Sequence, residues 1–124
     1  MNRRVAQLRG ALTQGGQHDE RGSAAAELAV ALPAVVIVVA LGMGGLLAAS
    51  TQVRLQDVAA DAARIVARGE AEERAAGVVA QVPGAASDVS WRGELVCVVA
   101  SAEARVAGVA VPLRAEACAL GGGR

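Results

Sequence analysis

The chain has 124 residues, with 12 basic against 12 acidic side chains, a single His and a positive mean hydropathy. Hydrophobic residues make up 54% of it, yet aromatics only 1%: one Trp, no Phe and no Tyr. Ala and Val carry that score, which excludes an ordinary globule packed around rings; zero net charge and the lack of a Gly period exclude disordered and collagen-like classes.

Residues 1–22 (MNRRVAQLRGALTQGGQHDERG) are polar and rich in Gly and Gln. Arg3, Arg4, Arg9 and Arg21 stand against Asp19 and Glu20, leaving two excess positive charges (4 − 2). No stable fold is expected there. From Leu28 to Ala49 the sequence LAVALPAVVIVVALGMGGLLAA runs for 22 positions without a charge. As a helix it would extend roughly 33 Å, enough to cross a hydrocarbon core of about 30 Å. Soluble core helices rarely stay uncharged for so long, so the run reads as a membrane segment, with the lipid bilayer as its first partner. Pro33 lies one turn inside it and is a candidate kink. Ala40, Gly44 and Ala48 form a ridge of small residues that would let another helix approach.

Residues 51–68 keep helical periodicity. Leu55, Val58, Ala59, Ala62, Ile65 and Val66 fall on one stripe, with Asp57, Asp61, Arg64 and Arg68 off it. Gly69 is placed to cap this helix, and Arg64 and Arg68 suit the negative end of its dipole. The expected object is one long helix over about 23–68, apolar first and amphipathic afterwards. A second, shorter helix is expected over 70–81, ending at Val82-Pro83-Gly84. Strand character follows in 88–92, 94–104 and 109–120, separated by Gly93 and by Ala107-Gly108. Trp91 is the one large ring available to pack this region. The predicted class is α+β: a long transmembrane and amphipathic helix, a short second helix, and a small C-terminal antiparallel hairpin or three-stranded sheet.

Cys97 and Cys118 sit one in each of the last two strand candidates, and the midpoint between them falls at Ala107-Gly108, where a turn is already indicated. A hairpin closed there would bring the cysteines opposite one another. A bridge would close a loop of about 20 residues and contribute about 3 kcal/mol, mostly through the unfolded state. Two buried free thiols are the other reading, and the choice turns on which compartment holds the head. Flanking charge does not settle orientation: Arg9 and Arg21 precede the span, while Arg54, Arg64 and Arg68 follow it.

No basic stripe interleaved with stacking aromatics exists, so nucleic acid is not an expected partner. His18 is remote in sequence from both cysteines, and no metal cluster or nucleophile–base pair can be assembled. Neither enzymatic activity nor a cofactor is expected.

The junction before the apolar run, Arg21-Gly22-Ser23-Ala24-Ala25-Ala26-Glu27, resembles the processing site of type IV prepilins. There a peptidase cuts after a Gly, and a Glu stands at the fifth mature position. Gly22 would precede the cut, Ser23 would become the new N-terminus, and Glu27 would take position five. Gly15 and Glu20 share the same spacing, but only Gly22 abuts the apolar segment. A lone carboxylate at the edge of hydrocarbon costs a few kcal/mol and requires a partner. In such filaments the new amine of a neighbouring subunit is that partner, whereas an unprocessed chain would leave Glu27 snorkelling toward headgroups.

More widely, RGSAAAELAVALP (21–33), the aliphatic run after it and LQDVAADAARIVARG (55–69) resemble TadE-like minor pilins of tight-adherence (Flp) systems. Leu28 stands where that family commonly has an aromatic residue, and its late acidic or aromatic positions are missing around Gly44 to Ala48. The resemblance, which covers about 21–69, implies a prepilin leader over 1–22 ahead of a transmembrane helix over 23–50; the residue pattern puts an amphipathic helical extension and a short second helix over 51–82 and a small β head over 83–124. It also implies processing by a prepilin peptidase, and contact with other pilins, a pilus assembly platform and its ATPase. The N-terminus would be cytoplasmic and the head extracytoplasmic, with passage into a surface pilus after assembly. Two other readings stay open. One is a secreted protein cut before Thr51, after the small residues Ala48-Ala49-Ser50. The other is an uncleaved single-pass anchor, an accessory of a secretion system.

Overall fold

A computed structural model of the chain describes residues 15–122, with side chains described from Glu20 onward. The order is α1 (Gly15–Ala67), α2 (Glu72–Val79), β1 (Ala86–Arg92), β2 (Leu95–Val106) and β3 (Val109–Leu120). The fold is therefore α+β, as the residue pattern predicts. The chain divides into two compact units, one ending at Val39 and one running from Ala40 onward.

In the first unit α1 begins at Gly15, eight positions before the expected start at 23. The polar stretch before Gly22 reads as loop because of its glycines. Gln17, Glu20 and Arg21 are nonetheless good helix formers, and once a helix exists each added residue gains a bond without a new nucleus. The expectation of no fold thus fails for 15–22, while residues 1–14 lie outside the described residues. From Glu20 to Val39 every side chain is exposed. Pro33 is accepted inside the helix, where its ring cannot donate to the Ala29 carbonyl.

In the second unit the stripe predicted from periodicity becomes the core. Leu55, Ala59, Ala62, Ile65 and Val66 are buried with Ala63 and Ala67, and Val58 packs against them. Asp57, Asp61, Arg64 and Arg68 are exposed. The helix ends as Gly69 predicts. Its φ is +79°, its N–H donates to the Val66 carbonyl at 2.9 Å, and the Glu70 N–H donates to Ile65 at 3.2 Å. That pair of bonds is a Schellman closure, which satisfies carbonyls the helix would otherwise leave open. Glu72 and Glu73 occupy the first turn of α2, where carboxylates favour the dipole, and Ala75 and Val79 turn inward.

The three strands form one antiparallel sheet in the order β1-β2-β3. Arg92 pairs with Leu95 and Val106 with Val109, so both connections are two-residue loops. Gly93 has φ +64° at the first loop position. In the second loop Ala107 at +49° and Gly108 at +82° are both left-handed, the requirement of a type I′ turn. Alternation then divides the sheet faces. Val96, Val98 and Ala100, with their partners Ala119, Ala117 and Ala115, meet the helical core. Cys97, Val99 and Ser101, with Cys118, Glu116 and Arg114, lie on the opposite face.

Three contacts hold α1 from Gly44 onward against the β2–β3 hairpin and the residues that follow it. The backbone of Val106 lies against Gly44, the Gln52 Nε2 donates to the Arg114 carbonyl at 2.7 Å, and the Gly122 N–H donates to the Ala67 carbonyl at 3.1 Å. Gly44 eases the first of these. A Cβ there would stand 3.0 Å from the Val106 Cγ1 and 3.2 Å from its Cα.

Candidate processing junction and its supporting head

Gly22, Ser23 and Glu27 all lie on α1 and all are exposed. A Cβ added to Gly22 would meet nothing within 4 Å, so a larger side chain finds open space at this position of the helix. Ser23 and Glu27 are four residues apart, which puts them on one helix face a single turn from each other. No ion pair reaches Glu27 among the described residues; the nearest cation in sequence is Arg21.

The surface beyond Glu27 is apolar and uncovered. Val30 is 77% exposed, and Val36, Ile37 and Val38 are exposed with it. Only 6% of the most apolar 18-residue window is buried, where the core helix of a soluble protein would be mostly covered. By length and composition this is one helix able to cross a membrane, near the N-terminus.

The ridge of small residues separates in the structure. Ala40 is exposed, Ala48 is half-buried, and Gly44 is buried beneath the β2–β3 turn. The close approach that glycine permits at position 44 is therefore met within the chain. Pro33 is exposed.

Cys97 and Cys118 face each other in register and are joined, with Cα atoms 4.0 Å apart and sulfurs 2.04 Å apart. The disulfide expected from the hairpin midpoint is present. It lies on the outer sheet face, away from the helical core. Arg92 of β1 and Glu116 of β3 form an ion pair at 2.8 Å across β2 on that same face, and Cys97 is fully buried between these neighbours. Cys97, Glu116 and Cys118 also form a group with metal-ligand types, but the sulfurs are bonded to each other and offer no thiolate.

Three supporting residues carry no signal in the local sequence. Gly121 lies against the Trp91 ring, where a Cβ would meet the indole at 3.1 Å, and its N–H donates to the Glu94 carbonyl at 2.8 Å. Trp91 itself is 45% exposed at the sheet end, outside the buried core. Gln52 and Val106 act over separations of about 62 residues, which no local pattern reveals.

A family model described as TadE-like protein matches residues 22–64, somewhat over a third of the chain. The match begins at Gly22 and takes in Ser23, Glu27, the apolar run and most of the amphipathic stripe. Comparison with curated proteins and with solved structures gives no match. The chain is thus similar to TadE-like proteins in its helix, and the head is described by its own geometry.

Proposed function

We propose that the chain is a non-enzymatic minor pilin of tight-adherence (Flp) type, made as a prepilin and cut between Gly22 and Ser23. One observation carries this reading. Gly22, where the TadE-like match begins, directly precedes a helix surface that is exposed from Ser23 to Met43, in a run that is uncharged from Leu28 to Ala49. The proposed organisation is a leader over 1–22, a span over 23–50, a helical extension over 51–82 and a head over 83–124. The N-terminus faces the cytoplasm and the head lies outside it. A hairpin closed by a disulfide supports that orientation, because such bonds persist in oxidising compartments.

The chemistry follows from charge placement. Hydrolysis of the Gly22–Ser23 bond by a prepilin peptidase gives Ser23 an α-ammonium at the positive end of the helix dipole, where a cation is unfavourable. Glu27 lies one turn further in, at the edge of hydrocarbon, where an unpaired carboxylate is equally unfavourable. Pairing the amine of one subunit with Glu27 of the next relieves both, and an offset pair would leave two buried charges uncompensated. The pair therefore selects register as the apolar helices pack laterally, which is the best-attested use of buried charges. Ala40, on the exposed part of the ridge, allows close helix approach. The assembly platform, its ATPase and other pilins complete the set of partners.

A cut before Thr51 fits poorly with the head. It would remove Gly44 from beneath the β2–β3 turn and break α1 one residue before Gln52, which holds the Arg114 carbonyl.

The N-terminal sequence and intact mass of the protein recovered from the native cell test the reading. Ser23 at the N-terminus is expected; Met1 would reduce the chain to a plain anchor, and Thr51 would make it a secreted protein. Replacement of Gly22 by Leu should block maturation, and normal processing of that variant would overturn the assigned site. Glu27→Ala should enter the membrane fraction at least as well as wild type but fail to appear in sheared pili; wild-type yield there would remove the role given to the carboxylate.

A further inference from the structure

Building on the reading that α1 enters a bilayer, we infer that the β2–β3 turn is a second membrane contact, with Val106–Val109 dipping into the interfacial layer beside the helix. The first observation is depth. Val106 lies on Gly44, yet the uncharged run of α1 continues to Ala49 and the next charge is Arg54. Five residues of helix rise about 7.5 Å, so the turn lies that far inside the end of the run. The contacts at Gly44, Gln52 and Ala67 keep β3 alongside α1, so depth along one element maps onto the other.

The second observation is the chemistry of the turn. Residues 106–113 (VAGVAVPL) are uncharged, although they form the tip of a hairpin. A type I′ turn in water favours Asn-Gly or Asp-Gly, because a polar side chain tolerates the left-handed position. Here that position holds Ala107, and the adjoining Val109 is 66% exposed. The surrounding surface is of the same kind, with Met43 and Leu46 exposed on α1.

Charge then sets a limit to insertion. The first acidic group back along β2 is Glu103, three residues from Val106 and so about 10 Å above it at strand rise. That places Glu103 above the level of Ala49, clear of hydrocarbon. Arg105 is one residue above the tip, with a side chain long enough to reach lipid phosphates. A tip of four apolar residues, a cation at headgroup height and an acid beyond it is the order an interfacial segment requires.

Tryptophan fluorescence in vesicles containing lipids brominated along the acyl chain tests this with the full chain. Three proteins are reconstituted: wild type, whose Trp91 lies at the opposite end of the sheet, and the variants Val109→Trp and Ile37→Trp in a Trp91→Phe background. An intact disulfide by mass confirms that each head has folded. Quenching of both variants, with loss of roughly half the emission at position 109 and little change in wild type, is expected for an interfacial tip. Quenching at 37 but not at 109 would overturn the inference and leave the membrane span standing. No quenching at either position would overturn the span and the inference together. Comparable quenching of wild-type Trp91 would mean that the whole head lies on the lipid, and would overturn the specific role of the turn.

Discussion

The two units of this chain use the same side chains to opposite ends. Val, Leu and Ala between Leu28 and Val39 are exposed, whereas Leu55, Ala59, Ala62, Val96 and Val98 are buried to within 1%. The first set leaves a continuous apolar surface far larger than a soluble monomer tolerates, and so requires lipid or neighbouring helices. The second set satisfies itself, yet with very small residues. A core made largely of Ala and Val buries little area per residue, so a head this small draws on a covalent link as well as on packing. Stability in the first unit is therefore a property of its surroundings, and in the second a property of the chain.

Substitutions that act in one unit only would break that contrast most severely. Leu55 has no exposed surface and is the largest fully buried side chain. Leu55→Ala should cost the head about 2–5 kcal/mol, read from denaturant unfolding in detergent with Trp91 fluorescence as the signal. Ile37→Ala, matched in chemistry but 59% exposed, should leave that unfolding curve unchanged. Equal losses from the two changes would show that the apolar helix is part of the head's core.

The disulfide comes next in size. Replacing Cys97 and Cys118 together by Ala should lower head stability by about 3 kcal/mol through the longer-ranging unfolded chain. Because the bridge lies on the outer sheet face, the inner pairs of Val96, Val98 and Ala100 should keep their packing. Amide exchange should then rise throughout the hairpin, with its pattern preserved. A collapse confined to β3 would instead mark the bridge as holding that edge strand in place.

How much of this was legible in the sequence depended on the range of the interaction involved. The stripe from Leu55 to Val66, the Gly69 cap and the Ala107-Gly108 turn are local, set by residues within four positions of each other, and all three stand as read. The cysteine pairing was legible because a hairpin is symmetric about its turn. The early start of helix α1 is not legible, because the glycines before Ser23 read as loop and propagation from an existing helix leaves no local mark. Gly44 was seen only as part of a ridge. Its partner Val106 is 62 residues away, and nothing in the spacing of small residues says which surface will approach them. For the junction, the residue types and spacing of Gly22, Ser23 and Glu27 are evident in the sequence, while their exposure on a continuous helix needs three dimensions.

The smallest expected effect sharpens the comparison at the place where the head comes nearest to the apolar run. Ala107 is the one non-glycine residue with positive φ among those described, at +49°. A Cβ in that region costs roughly 1 kcal/mol, and Asn, whose side chain bonds to the local backbone, reduces the penalty. Ala107→Asn should therefore raise the denaturation midpoint of the detergent-solubilised chain by an amount equivalent to about 0.5–1 kcal/mol, without altering the disulfide. A fall in stability would mean that the methyl group of Ala107 contributes packing that outweighs its backbone strain. A gain would mean that the chain forgoes turn stability at that site while keeping its tip apolar, the character that membrane contact at Val106–Val109 demands.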